Sequence, residues 1–284
     1  MQLLTADEIR RAVRLALDED LGSGDVTTLA TVPEHAVASA TMVAREPLVL
    51  AGVELAEAAF FELSPAIKIE RRVKDGEKVE SGRKLLSING PARAILSAER
   101  VALNFVQRLS GVATLTRRFV EAIEGTRAKI LDTRKTTPGW RRLEKYAVCC
   151  GGGQNHRFGL FDMVLIKDNH LAALRGESPN PVALAVQRAK FKSPQLKVEV
   201  EADDLEEVEQ AAAAGADIIL LDNMSLEQMR AAVTRVKGRA QTEASGGVNL
   251  PRVRAIAETG VDFISAGALT HSARAVDIGL DFEP

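Results

Sequence analysis

The second half of the sequence repeats one unit, in which an apolar run is followed by a polar residue and then by an amphipathic helix. Six such runs are present, at residues 129–131, 163–166, 198–200, 218–221, 240–244 and 261–266. The last four end at Glu201, Asp222, Ser245 and Gly267, at intervals of 21, 23 and 22 residues. That spacing accommodates one strand and one crossover helix, so the sequence predicts an α/β fold with a parallel sheet.

Six units are too few for a full eight-stranded barrel, but they suit a parallel α/β barrel that is shortened or incomplete. An open, doubly wound sheet is the alternative. The barrel is favoured because nearly every predicted strand ends in a residue able to do chemistry. A barrel brings those strand ends together into one site.

The first third of the chain has a different pattern. Thr5 and Glu8 form a capping-box signature that begins a helix. Short β-rich runs separated by turn residues follow between about residues 35 and 96, which indicates a small sheet. Ser97 is predicted to begin a long helix that extends to about Ile123. We therefore predict an N-terminal domain over residues 1–110 and a barrel domain with the active site over residues 111–271.

Charge and composition narrow the possible partners. The 284-residue chain has a net charge of -2 and a pI near 6.2, which predicts no attraction to nucleic acid or to acidic membranes. No apolar run approaches the roughly 18–20 residues that span a bilayer, and residues 1–11 lack the layout of a signal peptide. Cys149 and Cys150 are adjacent, which suits neither a disulfide framework nor a zinc site. A cytoplasmic protein is predicted.

Residues 127–157 hold eight Lys or Arg and two acidic residues, a local charge of +6 within an acidic chain. This indicates an anionic ligand, although a solvated basic face would show the same composition. The surrounding Thr133, Pro138 and Gly139 and the glycines at 151–153 favour a ligand, because they allow close approach of the backbone. Among the histidines, His156 is the favoured candidate for ligand binding, because the residues next to it in the sequence are themselves candidates. His170 and His271 are secondary candidates.

The types of residue at the strand ends indicate that the ligand is a phosphorylated sugar. Arg134, Lys135, Arg157 and Lys167 could bind several anionic groups. Glu201 and Asp222 suit either ribose hydroxyls or a divalent ion that bridges to phosphate oxygens. Small residues follow the last two strands and leave backbone amides free to bind a phosphate; they are Ser245, Gly246 and Gly247, and Ala266, Gly267 and Ala268.

Several motifs resemble the quinolinate phosphoribosyltransferase family over essentially the whole chain. They are the runs at residues 132–139, 145–148, 151–157 and 165–170, with shorter ones at 19–21, 24–28, 221–223, 245–247 and 267–271. The resemblance implies an N-terminal α/β sandwich domain completed by residues 272–284. It also implies an open seven-stranded α/β barrel, in place of the six strands predicted above.

The resemblance further implies transfer of a phosphoribosyl group from phosphoribosyl pyrophosphate to quinolinate with decarboxylation, in NAD biosynthesis, and it implies Mg²⁺. It assigns quinolinate contacts to Arg100, Arg134, His156, Arg157 and Lys167, with Arg100 offered by the neighbouring subunit of a homodimer or dimer-based hexamer. It assigns the phosphoribosyl pyrophosphate side to Lys135, Lys167, Glu201, Asp222, Ser245, Gly246, Gly267 and His271. Catalytic roles are expected for Lys135, Lys167, Glu201 and Asp222, metal contacts for Glu201 and Asp222, and further substrate contacts for Thr133, Gly247, Ala266 and Ala268.

Three other functions are open. A nicotinate-type phosphoribosyltransferase would have the same fold, but its substrate has fewer carboxylates and would not need so many cations. A non-catalytic ligand-binding or metal-uptake-associated relative would not need the complete set of strand-end residues. A nucleic-acid-binding protein would need aromatic residues interleaved with the basic ones, and only Trp140, Tyr146 and Phe158 lie near them.

Overall fold

A computed structural model describes residues 4–178 and 180–283. Residues 1–3 and Pro284, at the outer ends of the predicted segments 1–110 and 272–284, lie outside the described residues, as does Pro179. The helices are α1 (Ala6–Leu21), α2 (Val26–Thr31), α3 (Val53–Leu63), α4 (Ala92–Ala122), α5 (Arg141–Cys150), α6 (Asp168–Ala172), α7 (Pro181–Lys192), α8 (Leu205–Ala213), α9 (Leu226–Val236), α10 (Leu250–Ala257) and α11 (Ala268–His271). The strands are β1 (Val37–Ala44), β2 (Leu48–Val49), β3 (Lys68–Arg71), β4 (Lys78–Val79), β5 (Lys84–Pro91), β6 (Lys129–Leu131), β7 (Val164–Ile166), β8 (Val198–Ala202), β9 (Ile218–Asp222), β10 (Gln241–Ser245), β11 (Phe263–Ser265) and β12 (Ile278–Phe282).

The chain divides into two compact units. One contains residues 1–117, 142–152 and 273–284, and the other contains residues 118–141 and 153–272. The second unit therefore holds all six strands that the repeating pattern predicted. The domain limits predicted from the sequence, residues 1–110 and 111–271, stay a prediction.

The six strands of the second unit form one parallel sheet in the order β6-β11-β10-β9-β8-β7, which confirms the predicted α/β class. The seventh strand that the resemblance implied is reduced to one bridge. Gln154 pairs with Leu131 beyond β6, and its N–H donates to the carbonyl of Ile130 at 2.8 Å. Residues 154–157 are polar and contain no apolar run, so the strand pattern does not reveal this position.

Alternation along the strands decides which side chains point into the barrel. In β8, Val198, Val200 and Ala202 are buried on one face, whereas Glu199 and Glu201 lie on the other. Glu201 lines a cavity at the carboxyl ends of the strands. The inner face of β8 is therefore acidic.

The capping box predicted at Thr5 and Glu8 is confirmed at the start of α1. Ser225 and Gln228 form a second reciprocal box at the start of α9. Asp204 and Glu207 have the same spacing but form only half of such a box. Asp204 caps α8, but the Glu207 carboxylate accepts from the Asp203 N–H at 2.9 Å, one residue before the cap.

The first unit is built around a four-stranded antiparallel sheet in the order β12-β1-β5-β3, with a separate pair formed by β2 and β4. Helix α3 interrupts the region that the sequence predicted as uniformly β-rich. Its residues Val53, Leu55, Ala56, Ala59 and Phe60 are all buried. Because apolar residues surround so much of this helix, its sequence shows no clear polar face, and the pattern was missed.

Helix α4 begins at Ala92 and not at Ser97, so the predicted start is wrong by five residues. Ser97 does not cap the helix. Its hydroxyl donates to the carboxylate of Asp25 at 2.9 Å, and Asp25 itself caps α2. Although α4 is long, no helix in the described part of the chain combines the length and apolar character needed to cross a bilayer.

Cys149 and Cys150 are the last two residues of α5. Neither Cys149 nor Cys150 forms a disulfide. Burial raises the pKa of the Cys150 thiol to about 12, so the reactive thiolate is disfavoured at neutral pH. We infer no chemistry at this pair.

We expect Gly111→Ala to destabilise the protein, although alanine normally stabilises a helix relative to glycine. Within α4, a Cβ at Gly111 would lie 1.9 Å from the carbonyl oxygen of Arg274, so the backbone must shift. Overpacking of this kind costs about 1–3 kcal/mol. Thermal unfolding should show a lower Tm, whereas Arg118→Ala on the exposed side of α4 should leave it nearly unchanged. An unchanged Tm for Gly111→Ala would contradict this packing.

Candidate active site

Residues from all six barrel strands, or from the loops that follow them, line one cavity of about 740 Å³ at the carboxyl ends of the strands. This is the size of a pocket for small organic ligands. The lining residues are Thr133, Arg134, Lys135, His156, Arg157, Leu165, Lys167, Glu201, Leu220, Asp222, Asn223, Glu243, Ser245, Gly246, Gly247, Val248, Ser265, Ala266, Gly267, Ala268 and His271. The structure thus brings together every predicted site residue except Arg100, which lies exposed on α4 and does not line the cavity.

Two of the cations that line the cavity are arginines, Arg134 and Arg157. Burial and then the positive charge of Arg134 lower the pKa of Arg157, an effect that Glu199 and Asp162 partly offset. The Nε of Arg134 is buried and has no hydrogen-bond partner among the described residues. Two cations held close together with an unsatisfied donor are stabilised when an anion binds between them.

Asp132 holds the segment that carries His156 and Arg157. Its buried carboxylate accepts from the Asn155 amide at 2.7 Å and from the His156 N–H at 2.9 Å. The Arg157 guanidinium in turn donates to the carbonyl of Met163 at 3.2 Å. These contacts tie residues 155–157 to the end of β6 and to the start of β7.

Lys167 and Glu201 form an ion pair at the ends of β7 and β8, in which the ammonium donates to the carboxylate. The Lys167 side chain is 45% exposed and that of Glu201 is 11% exposed. The lysine therefore remains accessible to a ligand in the cavity, while the carboxylate partly neutralises it.

The end of β9 is shaped around Asp222, Asn223 and Gly246. The Asn223 side-chain amide donates to the Asp222 carboxylate at 2.6 Å, and its N–H donates to the carbonyl of Ser245 at 3.0 Å. Gly246 has φ +87°, and a Cβ there would lie 2.1 Å from the side-chain oxygen of Asn223. Only glycine fits this close approach, which fixes the loop after β10 beside Asp222.

Gly267 leaves room beside Lys135 and His271. A Cβ at this position would lie 3.0 Å from the Cδ of Lys135 and 3.1 Å from the Nε2 of His271. The Thr270 hydroxyl donates to the carbonyl of Lys135 at 2.7 Å and so holds this backbone against α11. Lys135 and His271, two of the predicted site residues, thus lie beside the space that a side chain at position 267 would fill.

The basic segment 127–157 does not act as one patch. Only Arg134, Lys135 and Arg157 of its eight cations line the cavity. Arg127 pairs with Asp262 at 2.7 Å, and Arg141 donates to the carbonyl of Phe158 at 3.0 Å. The local charge of +6 therefore overstated the cationic character of the site.

Sequence reasoning missed Glu199 and Glu243, which are fully buried beside His156. The Nε2 of His156 lies 2.9 Å from Glu199 and 3.5 Å from Glu243. A signal was available, because each glutamate precedes a predicted site residue by two positions and so shares its strand face. Glu199 precedes Glu201, and Glu243 precedes Ser245.

Two family models match the chain. The model of the quinolinate phosphoribosyl transferase N-terminal domain matches residues 25–110, and that of the C-terminal domain matches residues 112–281.

Curated relatives match over nearly the whole chain. The nicotinate-nucleotide pyrophosphorylase (carboxylating) of Mycobacterium leprae is 47% identical over 281 residues, with 97% of both chains covered. The quinolinate phosphoribosyltransferase (decarboxylating) 1b of Nicotiana tabacum is 43% identical, with 97% of this chain and 83% of the relative covered.

Solved structures show the same fold. The nicotinate-nucleotide pyrophosphorylase of Francisella tularensis matches with a TM-score of 0.93 and 42% identity, over 99% of this chain and 98% of that one. The NadC structure from Streptococcus pyogenes matches with a TM-score of 0.94 and 41% identity over the full length of both chains. A human nicotinic acid phosphoribosyltransferase is only 14% identical at a TM-score of 0.59, with 99% of this chain and 74% of that one covered, so it shares the fold alone.

Proposed function

Because the chain belongs to the quinolinate phosphoribosyl transferase family, we propose that its two substrates, quinolinate and phosphoribosyl pyrophosphate, meet in the cavity of the barrel. The enzyme transfers the phosphoribosyl group from phosphoribosyl pyrophosphate to quinolinate with decarboxylation. The products are nicotinate mononucleotide, pyrophosphate and CO₂. This reaction belongs to NAD biosynthesis.

The observation that carries the placement of quinolinate is the pair of arginines. Quinolinate has two carboxylates on a pyridine ring, and these would repel each other in a site without fixed cations. Arg134 supplies a buried donor without a partner among the described residues, and Arg157 lies near enough for the charge of Arg134, together with burial, to lower its pKa. We assign the carboxylates to these two residues, with Thr133 and the accessible Lys167 beside them.

The phosphoribosyl pyrophosphate side is assigned to other residues of the same cavity. Lys135 and His271 lie at the opening beside Gly267, where they can bind anionic oxygens. The loops at 245–247 and 266–268 carry small side chains and expose backbone amides to a phosphate. Asp222 is oriented by Asn223 and can accept from ribose hydroxyls.

The residues in the cavity also fit a magnesium ion, which we propose as the cofactor. Mg²⁺ prefers oxygen ligands and is commonly held by one or two carboxylates together with substrate phosphates. Glu201 and Asp222 both line the cavity and can supply those carboxylates. Such an ion would neutralise charge on the leaving pyrophosphate.

The protein's part in the chemistry is alignment and electrostatics. The ring nitrogen of quinolinate attacks the anomeric carbon as the bond to pyrophosphate breaks, and positive charge develops on the sugar. We assign the stabilisation of that charge to Glu201 and Asp222, which both line the cavity. The alkylated nitrogen is cationic, so loss of CO₂ from the adjacent carbon leaves an ylide that this charge stabilises, and a proton then takes the place of the carboxylate.

We further propose a homodimer, or a hexamer built from dimers, in which Arg100 of one subunit reaches the quinolinate site of its partner. The support is that Arg100 is exposed on α4 and absent from the cavity of its own chain. The cytoplasmic location stays a prediction, since the names of several plant relatives include "chloroplastic" or "mitochondrial".

The purified protein should convert quinolinate and phosphoribosyl pyrophosphate into nicotinate mononucleotide when Mg²⁺ is added. Nicotinate should give little product, because the missing carboxylate leaves buried charge unpaired. Mass spectrometry of the products, with ¹³C label in the carboxylate adjacent to the ring nitrogen, measures both nucleotide and released CO₂. Comparable product from nicotinate would contradict the assignment of the two arginines.

A further inference from the structure

Three side chains cluster in the barrel interior, and only one of them, His156, is an expected quinolinate contact. His156, Glu199 and Glu243 come from three different segments, and one ligand-type atom from each lies within 4.8 Å of the others. Both glutamates are fully buried, and the His156 side chain is 8% exposed. Buried carboxylates of this kind are costly unless each is paired or neutral.

The contacts of the His156 imidazole determine which of its two nitrogens carries the proton. The N–H of Arg157 donates to Nδ1 of His156 at 2.8 Å, so Nδ1 carries the lone pair. The proton of the neutral ring is then on Nε2, which lies 2.9 Å from the Oε2 of Glu199. His156 therefore accepts from the Arg157 N–H at Nδ1 and donates from Nε2 to a carboxyl oxygen of Glu199.

Glu243 lacks such a partner. Ser265 and Glu199 lie beside its carboxyl group, but neither of its oxygens makes a hydrogen bond of standard geometry with a described residue, and Nε2 of His156 is already committed to Glu199. Burial and the nearby charge of Glu199 raise its pKa far above the usual range, while His156 and the Ser265 hydroxyl act in the opposite direction. A neutral carboxylic acid is the state that fits this position.

These contacts connect the barrel interior to the quinolinate site. The carboxylate of Glu199 orients His156, whose Nδ1 holds the backbone of Arg157, while Asp132 holds the N–H of His156 from the other side. The charge of Glu199 also partly offsets the desolvation of the Arg157 guanidinium. Losing that carboxylate would therefore loosen the position of Arg157 and remove a charge that compensates for its burial.

We propose that Glu199 is a positioning residue for quinolinate recognition, which acts through His156 on Arg157, and that Glu243 serves beside it as a neutral acid. This inference rests on the proposed placement of quinolinate at Arg134 and Arg157. A transition-metal site at the same three residues is disfavoured, because a metal bound to Nε2 would have to displace the proton that the Arg157 contact assigns there.

The test compares Glu199→Gln with Glu243→Gln, and uses Glu227→Gln on the exposed side of α9 as the matched control. Glu199→Gln should raise the KM for quinolinate at least tenfold and change the KM for phosphoribosyl pyrophosphate less than twofold. Glu243→Gln resembles the neutral acid, so its effect on the quinolinate KM should be several-fold smaller. In a His156→Gln background, Glu199→Gln should raise the KM for quinolinate little further, because the hydrogen bonds that connect Glu199 to Arg157 are already lost.

Thermal unfolding and isothermal titration with quinolinate accompany the kinetics. Equal defects for both substrates in Glu199→Gln, equal effects of the two glutamine variants, or full additivity with His156→Gln would overturn the proposal. So would a stoichiometric transition metal in the wild type, measured by elemental analysis, that Glu199→Gln loses. Absence of nucleotide product in the wild type would instead refute the proposed function. If Glu199→Gln does not fold, Glu199→Asp gives the same readout, because the shorter side chain draws the carboxylate away from Nε2 of His156. An unchanged quinolinate KM in that variant would overturn the proposal.

Discussion

Replacing Arg157 with alanine is expected to remove most of the affinity for quinolinate, while affinity for phosphoribosyl pyrophosphate changes little. Truncating one partner of a buried charge pair costs about 2–5 kcal/mol, and even the lower value corresponds to about a 30-fold loss of binding. The loss should be selective because the proposed placement assigns Arg157 to the carboxylates of quinolinate, and the glycine loops after β10 and β11 to phosphoribosyl pyrophosphate. Isothermal titration with each substrate measures it directly.

Two variants serve as controls for this prediction. Arg157→Lys keeps the charge but loses the planar fork, so its quinolinate affinity should lie between those of the wild type and Arg157→Ala. Arg127→Ala removes a cation from the same basic segment that pairs with Asp262 outside the cavity, and it should bind quinolinate normally. Unchanged quinolinate affinity in Arg157→Ala would show that this residue does not bind the substrate.

Mixing two inactive variants should restore activity if the site is shared between subunits. Arg100→Ala and Lys167→Ala are each expected to be nearly inactive, because each lacks one cation at the quinolinate site. In a mixed dimer, one site carries both changes, and the other combines an intact Arg100 with an intact Lys167. With random exchange, roughly half the dimers are mixed and one of their two sites works, so activity should return to roughly a quarter of the wild-type value.

The control for subunit exchange is a chain that carries both substitutions, mixed with each single variant in turn. Neither mixture forms an intact site, so no activity should return. Exchange itself is followed by native mass spectrometry of tagged chains. If mixed dimers form from the two single variants and activity stays absent, Arg100 does not act in the partner's site.

The repeat of apolar run, polar residue and helix predicted the parallel sheet. Each strand and each crossover helix has its own periodicity of apolar residues, which is visible within a short stretch of sequence. The same pattern placed Lys167, Glu201, Asp222 and Ser245 at strand ends, where the structure has them. It missed helix α3, whose apolar residues extend round most of its surface, and the bridge at Gln154, which has no apolar run.

The family motifs extended the prediction from the types of residue in the site to the reaction that the protein catalyses. Residues 132–139, 151–157 and 165–170 identified the family before any contact was known, and the family models match both parts of the chain. Such motifs are informative because a site for two anionic substrates needs particular residues at particular strand ends. The individual roles of these residues stay predictions until variants are measured.

The sequence by itself determined the α/β class, the strand ends that form the site and the family. Only the tertiary structure decided which charges face one another. It separated Arg134 and Arg157 from Arg127 and Arg141 of the same basic segment, and it brought Glu199 and Glu243 of separate strands to His156. The physical reason is that strand periodicity is a local property of the chain, whereas burial, pairing and protonation of a charge depend on side chains distant in sequence.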